Sequence, residues 1–256
     1  MRFLGIDFSG ASDAGKKIWI AEGTEDGTVL LLIPASELPQ SGAERAKALP
    51  ALARHIAGLG AAIVGIDAPN SLPRSFAPDG WETWFAAFAA SHESAEHFRE
   101  ACRLATGGKE SKRSCDVTAK TPFAAWNLRL YRQTWHSLID LYAPLVRAGA
   151  VTVAPFQRAH TGLPRLAEIC PASTLKRLGL YVSYKGRKFA DARRSLLREM
   201  TALGSLQVPR RLRERAIEDP GGDALDALVA LTAAVRCREQ IELHDADCEG
   251  EVYVWA

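Results

Sequence analysis

Short apolar runs bounded by glycine or proline mark out the first seventy residues. Arg2-Phe-Leu-Gly-Ile-Asp7 and Ala62-Ile-Val-Gly-Ile-Asp67 are nearly continuous in apolar character and each ends on an acid. Runs of that length predict interior strands covered on both faces. Lys17 to Glu22 and Thr28 to Ile33 predict two more strands, with Gly23 to Gly27 as the hairpin turn. Between these and the Asp67 strand, Ala46, Leu49, Leu52, Ala53, Ile56 and Leu59 recur at helical spacing, and Gly58 and Gly60 end the helix. The opening order is therefore β-β-β-α-β.

Beyond Asp67 the pattern changes. Asn70 to Gly80 is a proline-rich loop and Trp81 to Leu104 has mostly helical spacing. Thr106 to Thr121 looks irregular, as functional or mobile loops are. Pro122 to Arg147 predicts a helix whose Trp126, Leu130, Trp135, Leu138, Leu141 and Leu145 serve packing, with His136 in the core or at the surface. Val151 to Ala154 and Leu166 to Ile169 are the last strand candidates. Ala172 to Leu178, Asp191 to Leu203, Pro209 to Ile217 and Asp223 to Arg238 predict helices, and Gly250 to Trp255 a short terminal strand. The expectation is a single α/β domain over 1–256 with a largely helical, basic insertion at about 70–150.

A chain of 256 residues that is 47% hydrophobic has enough apolar surface for one large core. Its charge is unevenly spread. Arg103 to Arg215 holds 22 basic and 7 acidic residues, whereas the remaining positions hold 10 basic and 23 acidic. Such a segment fits a polyanionic partner, nucleic acid being the commonest, or a set of solvated helices whose arginine stems cover apolar surface. The five cysteines form no C-x-x-C pair and are odd in number, which argues against a disulfide framework or a zinc site and fits a reducing compartment. No run of eighteen apolar residues is present, and the chain enters a strand without a charged leader. A cytoplasmic protein with no membrane span is expected.

The candidate chemistry is acidic. Asp7 and Asp67 fall at the carboxyl ends of their strands, where open α/β sheets place ligands, although an aspartate before Ser-Gly or Pro is also ordinary turn chemistry. Asp223 and Asp226 are three apart at the start of an apolar helix and share a face. There they can cap the helix and complement its dipole, bind a cation, or both. Glu168 is a lone acid in an apolar strand, costly if buried without a partner. Hard carboxylate oxygens without clustered His or Cys select Mg²⁺ or Mn²⁺. Two such ions about 4 Å apart can activate water and stabilise the leaving oxygen in phosphodiester hydrolysis. Arg113 with Asp116 can grip a phosphate or form an ion pair of little consequence. Tyr184, Lys185, Arg187 and Lys188 suit backbone contact and base stacking, or a solvated loop.

The order of elements and acids resembles the ribonuclease H-like fold, a mixed sheet in β-β-β-α-β-α-β-α order flanked by helices. Asp223-Ala-Leu-Asp-Ala227 also resembles the paired-aspartate helix motif of RuvC-type Holliday-junction resolvases. Gly5-Ile-Asp-Phe-Ser-Gly-Ala11, Gly65-Ile-Asp-Ala-Pro69, Arg113-Ser-Cys-Asp116, Glu168-Ile-Cys-Pro-Ala172 and Asp223-Ala-Leu-Asp-Ala-Leu228 together resemble the DUF429 family, described as predicted ribonuclease H-like nucleases. The resemblance implies Asp7, Asp67, Asp223 and Asp226 as metal ligands; the basic chemistry of Arg113 and Lys185 adds two expected phosphate contacts. Glu168 departs from the simplest such scheme and is implied as a supporting or substitute acid. The expected activity is a Mg²⁺- or Mn²⁺-dependent nuclease. The alternatives are a non-catalytic nucleic-acid-binding protein on the same fold and an ATP-dependent phosphotransferase of the actin and sugar-kinase superfamily.

Overall fold

The computed structural model describes residues 1–204, 206–243 and 248–255. Its strands are β1 (Arg2–Asp7), β2 (Trp19–Gly23), β3 (Val29–Pro34), β4 (Ala62–Asp67), β5 (Thr152–Val153) and β6 (Pro164–Glu168). They form one sheet in the order β3-β2-β1-β4-β6-β5. The pairs among β1, β2 and β3 are antiparallel, and β1-β4, β4-β6 and β6-β5 are parallel. The fold is therefore mixed α/β. In the β1-β4 register Gly5 stands opposite Gly65 and Asp7 opposite Asp67.

Twelve α-helical segments are described. They are α1 (Ala14–Lys17), α2 (Arg45–Ala57), α3 (Trp81–Ser91), α4 (Ala95–Ala105), α5 (Ser114–Ala119), α6 (Tyr131–His136), α7 (Ala143–Arg147), α8 (Pro171–Arg177), α9 (Ala190–Ala202), α10 (Arg210–Glu218), α11 (Asp223–Arg236) and α12 (Arg238–Glu242). A stretch of π-helix over Ser137–Tyr142 joins α6 to α7.

Side-chain alternation assigns the two faces of the sheet. Leu4, Ile6, Val64, Ile66 and Leu166 pack with α2 and the helical insertion. Phe3, Ile63, Ala167 and Ile169 pack with α11. Gly5 and Gly65 are on this second face, and the missing side chains let α11 lie close. A Cβ on Gly5 would collide with the backbone of Ala227 and Leu231, and one on Gly65 with the Ile169 side chain. In helix α11 every residue from Ala224 to Val235 is buried, as a helix apolar all round requires.

Several boundaries differ from the sequence expectation. The segment 106–121 is not irregular throughout: it contains α5, begun by a capping box in which the Asp116 side chain reaches back to the Arg113 amide. The helix expected from Pro122 begins only at Tyr131, because 122–130 is spent on turns that bury Ala124, Ala125 and Trp126. The Trp81 to Leu104 helix is two helices, the second begun by Ser94, whose hydroxyl accepts from the His97 amide at 3.1 Å. The final helix breaks at Cys237. The terminal segment contributes a single bridge, Ile169 to Tyr253, rather than a strand. His136 is buried, with Nδ1 2.7 Å from Asp140. All five cysteines are buried. Among the described residues no helix is long and apolar enough to cross a membrane.

Candidate metal centre

The same alternation that puts Gly5 and Gly65 against α11 carries Asp7 and Asp67, two residues further on, to that face. The close approach of α11 then brings its first turn over the ends of β1 and β4. Asp7, Asp223 and Asp226 each offer a carboxylate oxygen, and these oxygens lie within 4.8 Å of one another. Asp7 and Asp226 are buried and Asp223 partly so. Asp67 borders this trio without joining its tightest grouping.

Capping does not account for Asp223. The N-cap of α11 is Gly222, in the left-handed region at φ 76°, and no side chain caps it from that position. The amides at the helix head are served by Asp219, whose Oδ2 accepts from Ala224 N–H at 2.9 Å while its Oδ1 accepts from Gly221 N–H at 3.1 Å. Sequence reasoning missed this residue, although Asp219 two places before Gly221 is ordinary turn chemistry.

The carboxylates are crowded. Burial, then Asp226, Asp223 and Asp67, push the Asp7 carboxyl well above its ordinary value. Burial followed by Asp226 pushes Asp67 up to about 8, and burial pushes Asp223 up to about 6. Burial is the first cause of each rise and the neighbouring carboxylates add to it. Lys185 supplies opposing positive charge, with Nζ 2.7 Å from Asp226 and 3.7 Å from Asp223. Burial opposes its charge, but Asp226 foremost among the carboxylates holds the ammonium above the usual lysine value. The Tyr184 hydroxyl donates to Asp226 at 2.7 Å. Lys185 thus sits among the acids, rather than on a separate basic surface.

Glu168, Arg113 and Asp116 meet elsewhere. On β6, Leu166 and Glu168 point to the face opposite α11, so Glu168 is turned away from the aspartate trio and toward the insertion. The Arg113 guanidinium receives it there through bonds of 2.5 and 2.7 Å. Two bonds of 2.9 Å to Asp116 and one of 2.8 Å to Ser71 use the remaining donors. All five guanidinium N–H groups are thereby satisfied, and Arg113 is 1% exposed. The phosphate contact expected of Arg113 is corrected on that ground: no donor is left for a ligand. Burial raises Glu168 against the pull of Arg113, whereas Arg113 outweighs burial at Asp116 and holds it low. Glu168 also accepts from the Asn70 amide at 2.9 Å, tying β6 to the loop after Asp67.

The insertion closes over both acid-bearing turns. Gln133 on α6 donates to the Asp67 carbonyl. Gly10 lies so close to the Arg132 backbone that a Cβ would collide with it, and Arg45 donates to the Gly10 carbonyl at 2.6 Å. The carboxylate oxygens of Asp7, Asp223 and Asp226 are grouped closely enough to hold a metal ion.

Comparison with known proteins bears on ancestry. The model of a family described as "Protein of unknown function (DUF429)" matches residues 5–249. No curated protein and no solved structure matches the chain. The family match runs from the Gly-Ile-Asp of β1 through the acids of α11, and the chain belongs to the DUF429 family.

Proposed function

We propose that this protein is a divalent-metal-dependent nuclease that hydrolyses phosphodiester bonds of nucleic acid. The observation that carries the reading is the meeting of Asp7 with Asp223 and Asp226, from opposite ends of the chain, with oxygens within 4.8 Å. These three hold the ion, and Asp67 borders it. A Mg²⁺ or Mn²⁺ ion there supplies Lewis acidity, which makes water a stronger nucleophile and stabilises charge on phosphoryl oxygens.

The chain's own groups do the rest. Tyr184 donates to Asp226, Asp219 accepts from the amides at the head of α11, and Lys185 offers a cation to the phosphate. Asp67, protonated near neutral pH before a cation arrives, becomes an acceptor once positive charge is near. The placement of acids on β1, β4 and α11, with sheet order β3-β2-β1-β4, supports a ribonuclease H-like reading of the fold. The excess of basic residues between Arg103 and Arg215 supports a polyanionic substrate.

Cleavage of labelled single- and double-stranded DNA and RNA, with Mg²⁺, Mn²⁺ or a chelator, tests the reading. Metal-dependent cutting is expected, falling by about two orders of magnitude or more in Asp7→Asn and Asp226→Asn. Turnover unchanged in those variants would refute it. The Lys185 ammonium among the acids favours a second reading, in which it neutralises them permanently and the protein binds nucleic acid without cutting. Salt-sensitive binding with no metal-dependent cleavage would select that reading. The phosphotransferase alternative receives less support, because the Ser9-Gly10 turn is packed against Arg132 instead of lying open for a nucleotide.

A further inference from the structure

Lys185 and a divalent ion have claims on the same carboxylates. The ammonium contacts Asp226 Oδ2 at 2.7 Å, while Tyr184 holds the other oxygen, Oδ1, at the same distance. Two neighbouring residues thus divide one carboxylate, the hydroxyl on one oxygen and the ammonium on the other.

The backbone that carries this pair is fastened. Arg193, 1% exposed, donates to the carbonyls of Tyr184 at 2.6 Å, Gly186 at 3.0 Å and Ile217 at 2.8 Å. The Gly186 amide donates to Pro220 at 2.7 Å. Gly222 is recessed to admit the segment, since a Cβ there would come within 2.9 Å of the Tyr184 ring and 3.2 Å of Lys185 Cγ. The backbone of Tyr184 and Gly186 is therefore held at both carbonyls. The Lys185 side chain, 55% exposed and joined by a flexible four-carbon stem, is the part free to move.

We propose that Lys185 is the resident counter-ion of the cluster and exchanges places with the divalent ion. This rests on the metal-dependent reading above. An ammonium and a divalent cation sharing Asp226 would stand a few ångströms apart and repel strongly in a partly buried site. Entry of the ion expels the ammonium toward solvent, where a substrate phosphate takes it up. The neutral Tyr184 hydroxyl keeps its bond. The cluster is thereby never without a cation, and the phosphate-binding charge is released only when the metal is in place.

The test follows the lysine itself. Protein carrying ¹⁵N-lysine is titrated with Mg²⁺ while side-chain ammonium resonances are recorded, with the Lys185 signal identified by its loss in Lys185→Met. In parallel, calorimetry measures Mg²⁺ binding to both proteins. The expected result is a Lys185 resonance restrained before Mg²⁺, shifting to the free-lysine position with the same saturation as the heat. Lys185→Met is expected to bind Mg²⁺ about tenfold more tightly, the worth of a modest competing ion pair. Heat in Lys185→Met alone would overturn the exchange, because the ammonium would then exclude the ion from the native site and neutralise the acids permanently. Heat in the wild-type protein with an unmoved Lys185 resonance would overturn the exchange while leaving the metal centre standing. Absence of heat in both proteins would overturn the metal centre and the exchange with it.

Discussion

Asp219 accepts from the Gly221 and Ala224 amides at the head of α11, while Asp223 faces the carboxylate cluster. The two acids, four residues apart, have opposite energetic signs. Asp219→Ala is expected to destabilise the protein by about 1 kcal/mol, the ordinary worth of a cap. Asp223→Asn removes a crowded negative charge, and the metal-free protein is expected to be as stable or more so. Urea unfolding of both variants in chelator decides the assignment; a larger loss for Asp223→Asn would reverse the roles.

The raised carboxyls make stability depend on pH in a defined direction. Asp67 titrates at about 8 in the folded chain and near the ordinary carboxylate value when unfolded, and Asp7 is also raised. Between those limits the folded state holds protons that the unfolded state has released. Stability is then fully present below the unfolded value and is lost as pH rises toward 8. Melting temperatures of metal-free protein are expected to fall across this window. Asp7→Asn or saturating Mn²⁺ is expected to flatten the curve. A melting temperature that climbs steadily from pH 5 to 8 would contradict the crowding.

Arg113 is expected to act on stability rather than on ligand binding. Arg113→Ala leaves Glu168 and Asp116 buried and unpaired, a loss of about 3–5 kcal/mol. Adding Glu168→Gln to that variant removes one orphaned charge and is expected to recover part of it. Denaturant titration of the single and double variants measures both steps. A stable Arg113→Ala protein with weakened nucleic-acid binding would return the residue to the phosphate-contacting role.

The repeated Gly-Ile-Asp made the two central strands readable, because an unbroken apolar run ending on an acid has few other homes in an α/β chain. Alternation then carries Gly5 with Asp7 and Gly65 with Asp67, which makes the α11 face legible too. Glu168 was not legible in the same way. Leu166, Ala167 and Ile169 are apolar on both sides of the sheet, so nothing local tells which face Glu168 takes. Its partner Arg113 lies in a segment whose helix is only six residues long, too short for periodicity to reveal. The Arg-x-x-Asp spacing was the available signal, an acid at the third helical position reaching back to the amide before the helix. In the sequence, a basic cluster with an aromatic points Lys185 at a phosphate. The position of Lys185 among the acids depends on the Arg193 fastening, a tertiary feature without a sequence signature.

The two glycine notches have a consequence for reading other chains of this kind. The spacing of the acids follows how deeply α11 seats, and that depth depends on Gly5, where a Cβ would strike the Ala227 and Leu231 backbone, and more weakly on Gly65, where it would come within 3.2 Å of the Ala230 carbonyl. A relative can therefore retain every aspartate and still have lost the centre, if a larger residue at either glycine props the helix away. The glycines, which carry no functional group, are the better sequence marker of whether the carboxylates remain within reach of a shared ion.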